Sequence, residues 1–556
     1  MSESQQARSP WWLWAAGFCA VIVALLLSRG RLPPYDDAFF FGRFAHNLLT
    51  HGLYAWNVAD GPVHGNTSQL FQVLVTGVYA AAGPYTVSVT RLLLGGGLVV
   101  AGVVHGRRWG WTTSALTYVG PVALATAVSG METALVLALG SGFVALLMDD
   151  GAAGERRWSK VLSVILAVLL FTARPDTALL TLGSLGLWGL PASGARRAVQ
   201  GLIPALVALG GMLGCLALYR VGYGTAFPLS FYLKSGLTAV YDPTFLEASR
   251  VSKLRHFAFF VVACAPLLLL LLRKPSRSWK LAAPAALFVA YHLLVTVDVM
   301  GLFARFFAPA LPWLAAAAAV NLSEHQARAR PGWFWAAWMV FGGLVAGAVV
   351  LGWLPEDRGW VIGRAPPVLY AAAWLAGLVL LAPGRPAEGL RGGSILAIAL
   401  GAVLIGAPSS RWRIDGVPSD EVYARGLIGE TSSWQGLGKL RHCLGSELHI
   451  YHSEIGVLGA LLPQARITDL GGLMNPELTL EGMDVDAMCS RDQPDALFLP
   501  QHNYAALKAA LTEGECLQGY TQVAKEGGSP LFLRTDLLEA FECEPPPPPG
   551  RPRGRR

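Results

Sequence analysis

Residues 11–27 read WWLWAAGFCAVIVALLL, an unbroken apolar run. It is too long for a secretory signal core and has no small-residue cleavage site, so a helix retained in the membrane is expected. Comparable runs of about 17 to 23 residues recur along the chain, long enough as helices to cross a hydrocarbon core about 30 Å thick. Composition agrees: of 556 residues, 53% are hydrophobic and only 14% charged, where a soluble domain carries about 25% charged residues. An ordinary cytosolic enzyme is excluded. The formal net charge is +7, but the basic residues sit in short clusters between apolar runs, which reports topology rather than nucleic-acid binding.

Arg8 places the start of the first helix inside, and short cytoplasmic loops collect Lys and Arg. Such clusters stand at Arg107-Arg108, Arg156-Arg157-Lys160, Arg196-Arg197, Arg273-Lys274-Arg277-Lys280, Arg328-Arg330 and, more weakly, Arg385 and Arg391. Neighbouring clusters must then be separated by an even number of crossings. Between Arg8 and Arg107 lie three apolar stretches, 11–29, 68–82 and 87–104. One of them does not cross, and 68–82, the shortest and the one after a long polar loop, is expected along the outer leaflet. The further crossings expected are 112–128, 131–148, 160–172, 176–191, 199–219, 256–272, 280–297, 303–320, 332–354, 366–382 and 393–408. With the two earlier spans the total is about thirteen transmembrane helices, which leaves the remainder outside.

The fold class expected is therefore an α-helical polytopic membrane protein, 1–408, whose outer loop 30–86 carries juxtamembrane helices, followed by an extracytoplasmic α/β domain, 409–544. In that domain, strand-like runs at 447–451, 465–469, 496–499 and 531–534 alternate with helical stretches at 455–462 and 504–511. It has no Gly-rich phosphate loop after a strand. Cys443, Cys489, Cys516 and Cys543 fall within it. In an oxidising compartment they can form two bridges in any of three connectivities, or stay free thiols. The end, 545–556, is a Pro-rich then basic tail for which no fold is expected. No zinc or haem spacing of Cys and His occurs.

With this topology, Asp36-Asp37, Glu132, Arg174 with Asp176, Lys234, and Asp298 with Arg305 all fall at the outer face. Ionisable groups near the bilayer are costly and therefore functional candidates. Asp36-Asp37 follows Pro33-Pro34 and precedes 38–49, where Phe40, Phe41, Phe44, Leu48 and Leu49 form an apolar stripe. One aspartate can cap that helix. Otherwise one is a general base for a hydroxyl and the other an orienting group or an ion ligand, so a divalent cation is left open. The loop 222–236 (GYGTAFPLSFYLKSG) joins Pro228 and aromatic residues, Tyr232 among them, to a lone Lys234. That suits either an interfacial belt with a snorkelling lysine or a point charge for a lipid phosphate. Arg305 invites the same two readings, and Arg174-Pro175-Asp176 also reads as a self-paired surface turn.

The order DDAFFFGRFAHNLLTHGLYAWN (36–57), GNTSQLFQVL (65–74), GMETAL (130–135), ARPD (173–176), GTAFPLSFYLKSG (224–236), RFFAPALPWL (305–314), SEIGVLG (453–459) and DLGGLMNP (469–476) resembles the membrane-embedded GT-C glycosyltransferases. It looks most like the branch of terminal arabinofuranosyltransferases that use decaprenyl-phosphate arabinose. The likeness spans nearly the whole chain.

The resemblance implies transfer of one sugar, with inversion, from a polyprenyl-phosphate donor to an extracytoplasmic glycan, lipid or protein acceptor at the plasma membrane. By the same resemblance, Asp36 or Asp37 deprotonates the acceptor, while Lys234, Arg305 and Arg174 hold the departing phosphate. Glu132, Asp298 and Tyr232 join the substrate-binding set. His64 is expected in the acceptor cleft or simply solvated. Phe39-Phe40-Phe41, and Gly65-Asn66-Thr67-Ser68, depart from the branch pattern, which leaves the sugar open. Two other classes remain: a non-catalytic assembly factor, against which only the acid pair argues, and a secondary transporter, which would need mid-membrane charges and an internal repeat.

Overall fold

The alternation of apolar runs with Gly, Pro and basic punctuation is realised as helices that overlap the expected spans, though Pro243–Leu271 begins 13 residues before the expected 256 and Leu311–Ser323 begins 8 after the expected 303. The structure is a computed structural model. It describes residues 35–323 and 435–543 except 110, 119–120, 150–152, 190–194, 235–242, 272–274, 298–303, 446, 483, 501–503 and 525–529. The expected spans 11–29, 332–354, 366–382 and 393–408, the tail 545–556 and Asp298 lie outside the described residues.

The described residues fall into two units. One holds Tyr35, 67–221 and 248–323 and is helical. Its helices are Gln69–Ala82, Thr86–Trp109, Trp111–Tyr118, Pro121–Val128, Thr133–Leu147, Ala153–Ala173, Ala178–Gly189, Pro275–Leu294 and Leu311–Ser323, with most of Ala195–Tyr223 and Pro243–Leu271. The expected single span 112–128 is two helices, the second opened by Pro121, whose missing N–H costs nothing at a first helical position. A 3-10 turn, Gly83–Tyr85, joins Gln69–Ala82 to Thr86–Trp109. The joined stretch Gln69–Trp109, and Gly201–Tyr223, are long and apolar enough to cross a membrane. On the second, Ile203, Leu206, Leu213, Leu218 and Val221 are exposed, an apolar face that water would not tolerate and lipid does.

Trp313 shows how this unit closes. Its ring is fully buried, its Nε1–H donates to Ser184 Oγ at 2.7 Å, and it packs on Phe143 at 5.7 Å. Gly140 makes room, because a β-carbon there would stand 3.0 Å from the indole.

The second unit holds 36–66, 222–234, 243–247 and 435–543. At its centre is a five-stranded sheet of order β2-β1-β3-β5-β4, with β1 His449–His452, β2 Arg466–Asp469, β3 Ala496–Phe498, β4 Tyr520–Ala524 and β5 Leu531–Arg534. β1 runs parallel to β2 and β3, whereas β5 is antiparallel to β3 and β4. Ile450, Ile467, Ala496, Leu531 and Leu533 are buried in one core with Phe40, Phe44 and Trp56, so the helix Ala38–His51 is part of this unit. The chain leaves β1 toward β2 and returns from β2 past β1 to β3. Connections therefore diverge at the carboxyl end of β1, where open parallel sheets characteristically hold ligands. Cys443–Cys543 and Cys489–Cys516 are the two disulfides, one of the three connectivities open to the sequence.

Candidate active site

The stripe of 38–49 carries one residue that sequence reasoning passed over. Arg43 shares the buried face with Phe40 and Phe44 and is 3% exposed. Its Nε–H donates to the Trp56 carbonyl at 2.7 Å, Nη1 to Leu462 at 2.9 Å, and Nη2 to Asn57 Oδ1 at 3.0 Å and Ala465 at 2.5 Å. Burial draws its guanidinium down to about 9, with Asp60 opposing. The signal was present, since a lone cation on an apolar helix face must find partners. Trp56 Nε1–H donates to the Ile467 carbonyl at 2.9 Å. These bonds fix the helix that Asp36-Asp37 enter.

The two acids behave differently. Asp37 is the residue before Ala38–His51, yet its side chain makes no cap hydrogen bond, so the capping reading of this aspartate does not hold. Asp36 caps a different helix. Its Oδ2 accepts the Gly456 N–H at 3.0 Å and its Oδ1 the Val457 N–H at 2.6 Å, at the start of Gly456–Leu461. Burial pushes the Asp36 carboxyl up to about 7; the Val457 bond opposes this, Asp37 adds to it, and the Gly456 bond opposes it again.

Glu454 lies on the loop between β1 and that helix. Burial, then the charges of Asp36, Asp37 and Asp469, push it up to about 8. Asp469 ends β2 and accepts the N–H groups of Gly471 at 2.7 Å and Met474 at 2.8 Å. Burial holds it near 7 against those bonds. The carboxyl ends of β1 and β2 thus carry Glu454 and Asp469 beside the acid pair. Both lay within quoted motifs, but nothing local in sequence pointed to this convergence.

His64 is 2% exposed, not solvated. Its Nδ1–H donates to the Thr225 carbonyl at 3.3 Å, and its ring stacks on Tyr223 at 4.9 Å. Burial lowers its pKa to about 4, so it is a neutral donor there. The Leu229 N–H bonds the His64 carbonyl at 2.8 Å, which ties the start of Leu229–Lys234 to this segment. Lys234 ends that helix, and Lys234 and Tyr232 are both partly buried.

In the helical unit, Arg174-Pro175-Asp176 is self-paired as one reading had it, but buried rather than at the surface. Arg174 Nε–H donates to Asp176 Oδ1 at 3.2 Å, and His292 Nε2–H donates to Asp176 Oδ2 at 2.9 Å. Arg174 Nη1 reaches the Arg305 carbonyl at 3.5 Å. The Arg305 guanidinium lies 5.1 Å from the Tyr35 ring and 5.2 Å from that of Phe306. Glu132 is 7% exposed and acts electrostatically on Arg174; its Oε2 has no hydrogen-bond partner among the described residues. The structure therefore brings Glu132, Arg174 and Arg305 together in one unit, and Asp36 and Asp37 together in the other. Among the described residues, no group of three or more His, Cys, Asp or Glu side chains is placed to hold a metal ion.

No family model and no curated protein matches the chain. Among solved structures, ArnT from Cupriavidus metallidurans in its apo state matches with a TM-score of 0.59 at 14% identity, over 94% of this chain and 98% of that one. The fold is similar to that of ArnT. A second ArnT structure, bound to undecaprenyl phosphate, matches with a TM-score of 0.56 at 14% identity over the same shares. At this identity the likeness is one of fold, and it does not single out the arabinofuranosyltransferase branch.

Proposed function

We propose that this chain is a plasma-membrane glycosyltransferase that moves one sugar from a polyprenyl-phosphate donor to an extracytoplasmic glycan, lipid or protein acceptor, with inversion. One observation carries the reading: the likeness to ArnT runs over 94% of the chain, and one of the matched ArnT structures holds undecaprenyl phosphate. The motif resemblance makes decaprenyl-phosphate arabinose the first donor to try.

The chemistry needs help on one side only. A lipid phosphate leaves without a proton, whereas the acceptor hydroxyl must lose one, which asks for a carboxylate base. Asp37 supplies it, next to an Asp36 occupied by backbone. Cations stabilise charge on the departing oxygen, the role assigned to Lys234, Arg305 and Arg174.

The test incubates membranes containing the chain with labelled polyprenyl-phosphate arabinose, mannose, glucose and galactose, and follows label into glycan, lipid and protein. Transfer from one donor that disappears in Asp37→Asn at equal expression supports the reading. Absence of transfer from every donor, with an envelope phenotype that survives Asp36→Asn and Asp37→Asn, would replace it with a scaffold. Reporter tags at Gly110 and Gly527 are expected to read cytoplasm and exterior respectively.

A further inference from the structure

Asp36 and Gly456 are 420 residues apart in sequence and in direct contact. Each Asp36 carboxylate oxygen ends on a backbone N–H, at 3.0 Å for Gly456 and 2.6 Å for Val457. Hydrogen bonds to an ionised carboxylate are the stronger kind, and a pair of them fixes orientation as well as distance. The approach is close enough to demand glycine: a β-carbon on Gly456 would lie 2.1 Å from the Asp36 carbonyl oxygen and 2.7 Å from Oδ2.

The loop presenting these N–H groups is itself held. His452, the last residue of β1, accepts the Glu454 N–H on Nδ1 at 2.8 Å, and its ring stacks on Phe498 at 4.5 Å. From the other side, Arg43 binds the Leu462 carbonyl, just past the helix that Gly456 opens. Asp37, one residue from this clasp, starts its helix at φ −54° and ψ −26°.

We infer that Asp36 is a positioning residue: clasped by the Gly456 and Val457 N–H groups, it fixes the backbone from which Asp37 works as base, so the C-terminal domain sets the geometry of the proton transfer. The inference rests on the proposed function above and refines it. In that step the acceptor O–H bond breaks and its proton passes to the Asp37 carboxylate. The freed oxygen pair forms the bond to the anomeric carbon. The bond from that carbon to the phosphate oxygen breaks, and its electrons leave with the phosphate. A base must come within about 3 Å of its proton, and misplacement by about 1 Å costs on the order of 100-fold in rate.

The experiment uses the full chain, purified and monodisperse in detergent, with the polyprenyl-phosphate sugar that the wild type turns over. For Gly456→Ala we expect kcat to fall about 10- to 100-fold, with KM for the donor within about twofold and the acid limb of the kcat pH profile displaced. Asp36→Asn keeps one acceptor but turns an amide toward the other N–H; it should behave alike, and it serves if Gly456→Ala does not fold. Asp37→Asn should lose on the order of 100- to 10,000-fold in kcat. Wild-type kcat and pH profile in both Gly456→Ala and Asp36→Asn would overturn the positioning role. So would an Asp36→Asn as inactive as Asp37→Asn beside a fully active Gly456→Ala, because Asp36 would then be doing chemistry itself. An active Asp37→Asn would instead sink the assignment of the base.

Discussion

Asn57 pairs with Ile467 as though it were another strand. Its Oδ1 accepts the Ile467 N–H at 2.9 Å, and its Nδ2 donates to the Ile467 carbonyl at 2.9 Å. β2 is the outer strand of the sheet, so its free edge at Ile467 is closed by side chains from a distant segment: Asn57 takes both backbone groups, and Trp56 Nε1–H shares the carbonyl. Asn57→Leu keeps the size and leaves the Ile467 N–H without its acceptor, while the carbonyl keeps the Trp56 Nε1–H. A buried group left unpaired costs about 1–3 kcal/mol. The nearby Arg466–Asp60 pair is about 42% exposed on both sides, and such pairs contribute about 0–1 kcal/mol. Denaturant unfolding followed through the C-terminal domain should therefore rank Asn57→Leu far below Arg466→Gln. Equal losses would mean that the edge is not closed this way.

The pH dependence of stability should run opposite to the usual carboxylate case. Asp36 and Asp469 are raised to about 7 and Glu454 to about 8, so the folded chain binds more protons than the unfolded one between about pH 4 and these values. Their stabilisation is complete below the unfolded pKa and is lost as pH rises through 7 to 8. Buried His452 and His64, lowered to about 3 and 4, act in the opposite sense, but only below about 6.5, the unfolded value. In the window from about pH 6.5 to 8 the acids dominate, because Arg43, drawn down to about 9, acts in the opposite sense only above it, and the melting temperature should fall with rising pH. Glu454→Gln should flatten that fall. A melting temperature that rises across the window, or an unchanged slope in Glu454→Gln, would contradict the buried cluster.

What could be read from the sequence follows how local each signal is. Short strand-like runs marked β1, β2, β3 and β5: the first three are buried at consecutive residues, as strands inside a sheet are, and β5 alternates. Tyr520–Ala524 escaped notice: β4 pairs only with β5, has a register shift between Gln522 and Ala524, and carries mixed composition. The acid pair stood out because two adjacent carboxylates at a helix entrance have few structural uses. Their division was hidden, since the groups that separate Asp36 from Asp37 arrive from Gly456 and Val457, and no local pattern encodes a contact across 420 residues. Arg174 and Asp176 were seen as a pair from their spacing, while His292 was not, because it comes from another helix.

The two disulfides should differ in weight. Cys489–Cys516 closes 27 residues and Cys443–Cys543 closes 100. Chain entropy assigns loops of these lengths about 3.5 and about 4.7 kcal/mol. Cys443→Ser with Cys543→Ser should thus cost about 1 kcal/mol more than the corresponding change at Cys489 and Cys516, measured by denaturant midpoint. In intact cells, a membrane-impermeant thiol reagent should label these four cysteines only after reduction. Labelling without a reductant would place the domain in a reducing compartment.

Asp176 holds Arg174 and His292 at once, and this makes it possible to separate structure from function in the helical unit. Arg174 is 6% exposed, so removing Asp176 alone leaves a buried guanidinium without its bonded anion. Breaking a buried pair from one side costs about 3–5 kcal/mol, whereas replacing both partners by apolar groups is often close to neutral. Asp176→Leu should therefore sharply lower the melting temperature, and the double change Arg174→Met with Asp176→Leu should recover most of the loss. Activity then decides the role of Arg174. If the pair exists only to hold the helices, the recovered double variant transfers sugar at near the wild-type rate. If the arginine also stabilises the departing phosphate, the double variant is stable yet slow, with kcat reduced and donor KM raised, and returning Arg174 opposite Asp176→Asn restores part of the rate.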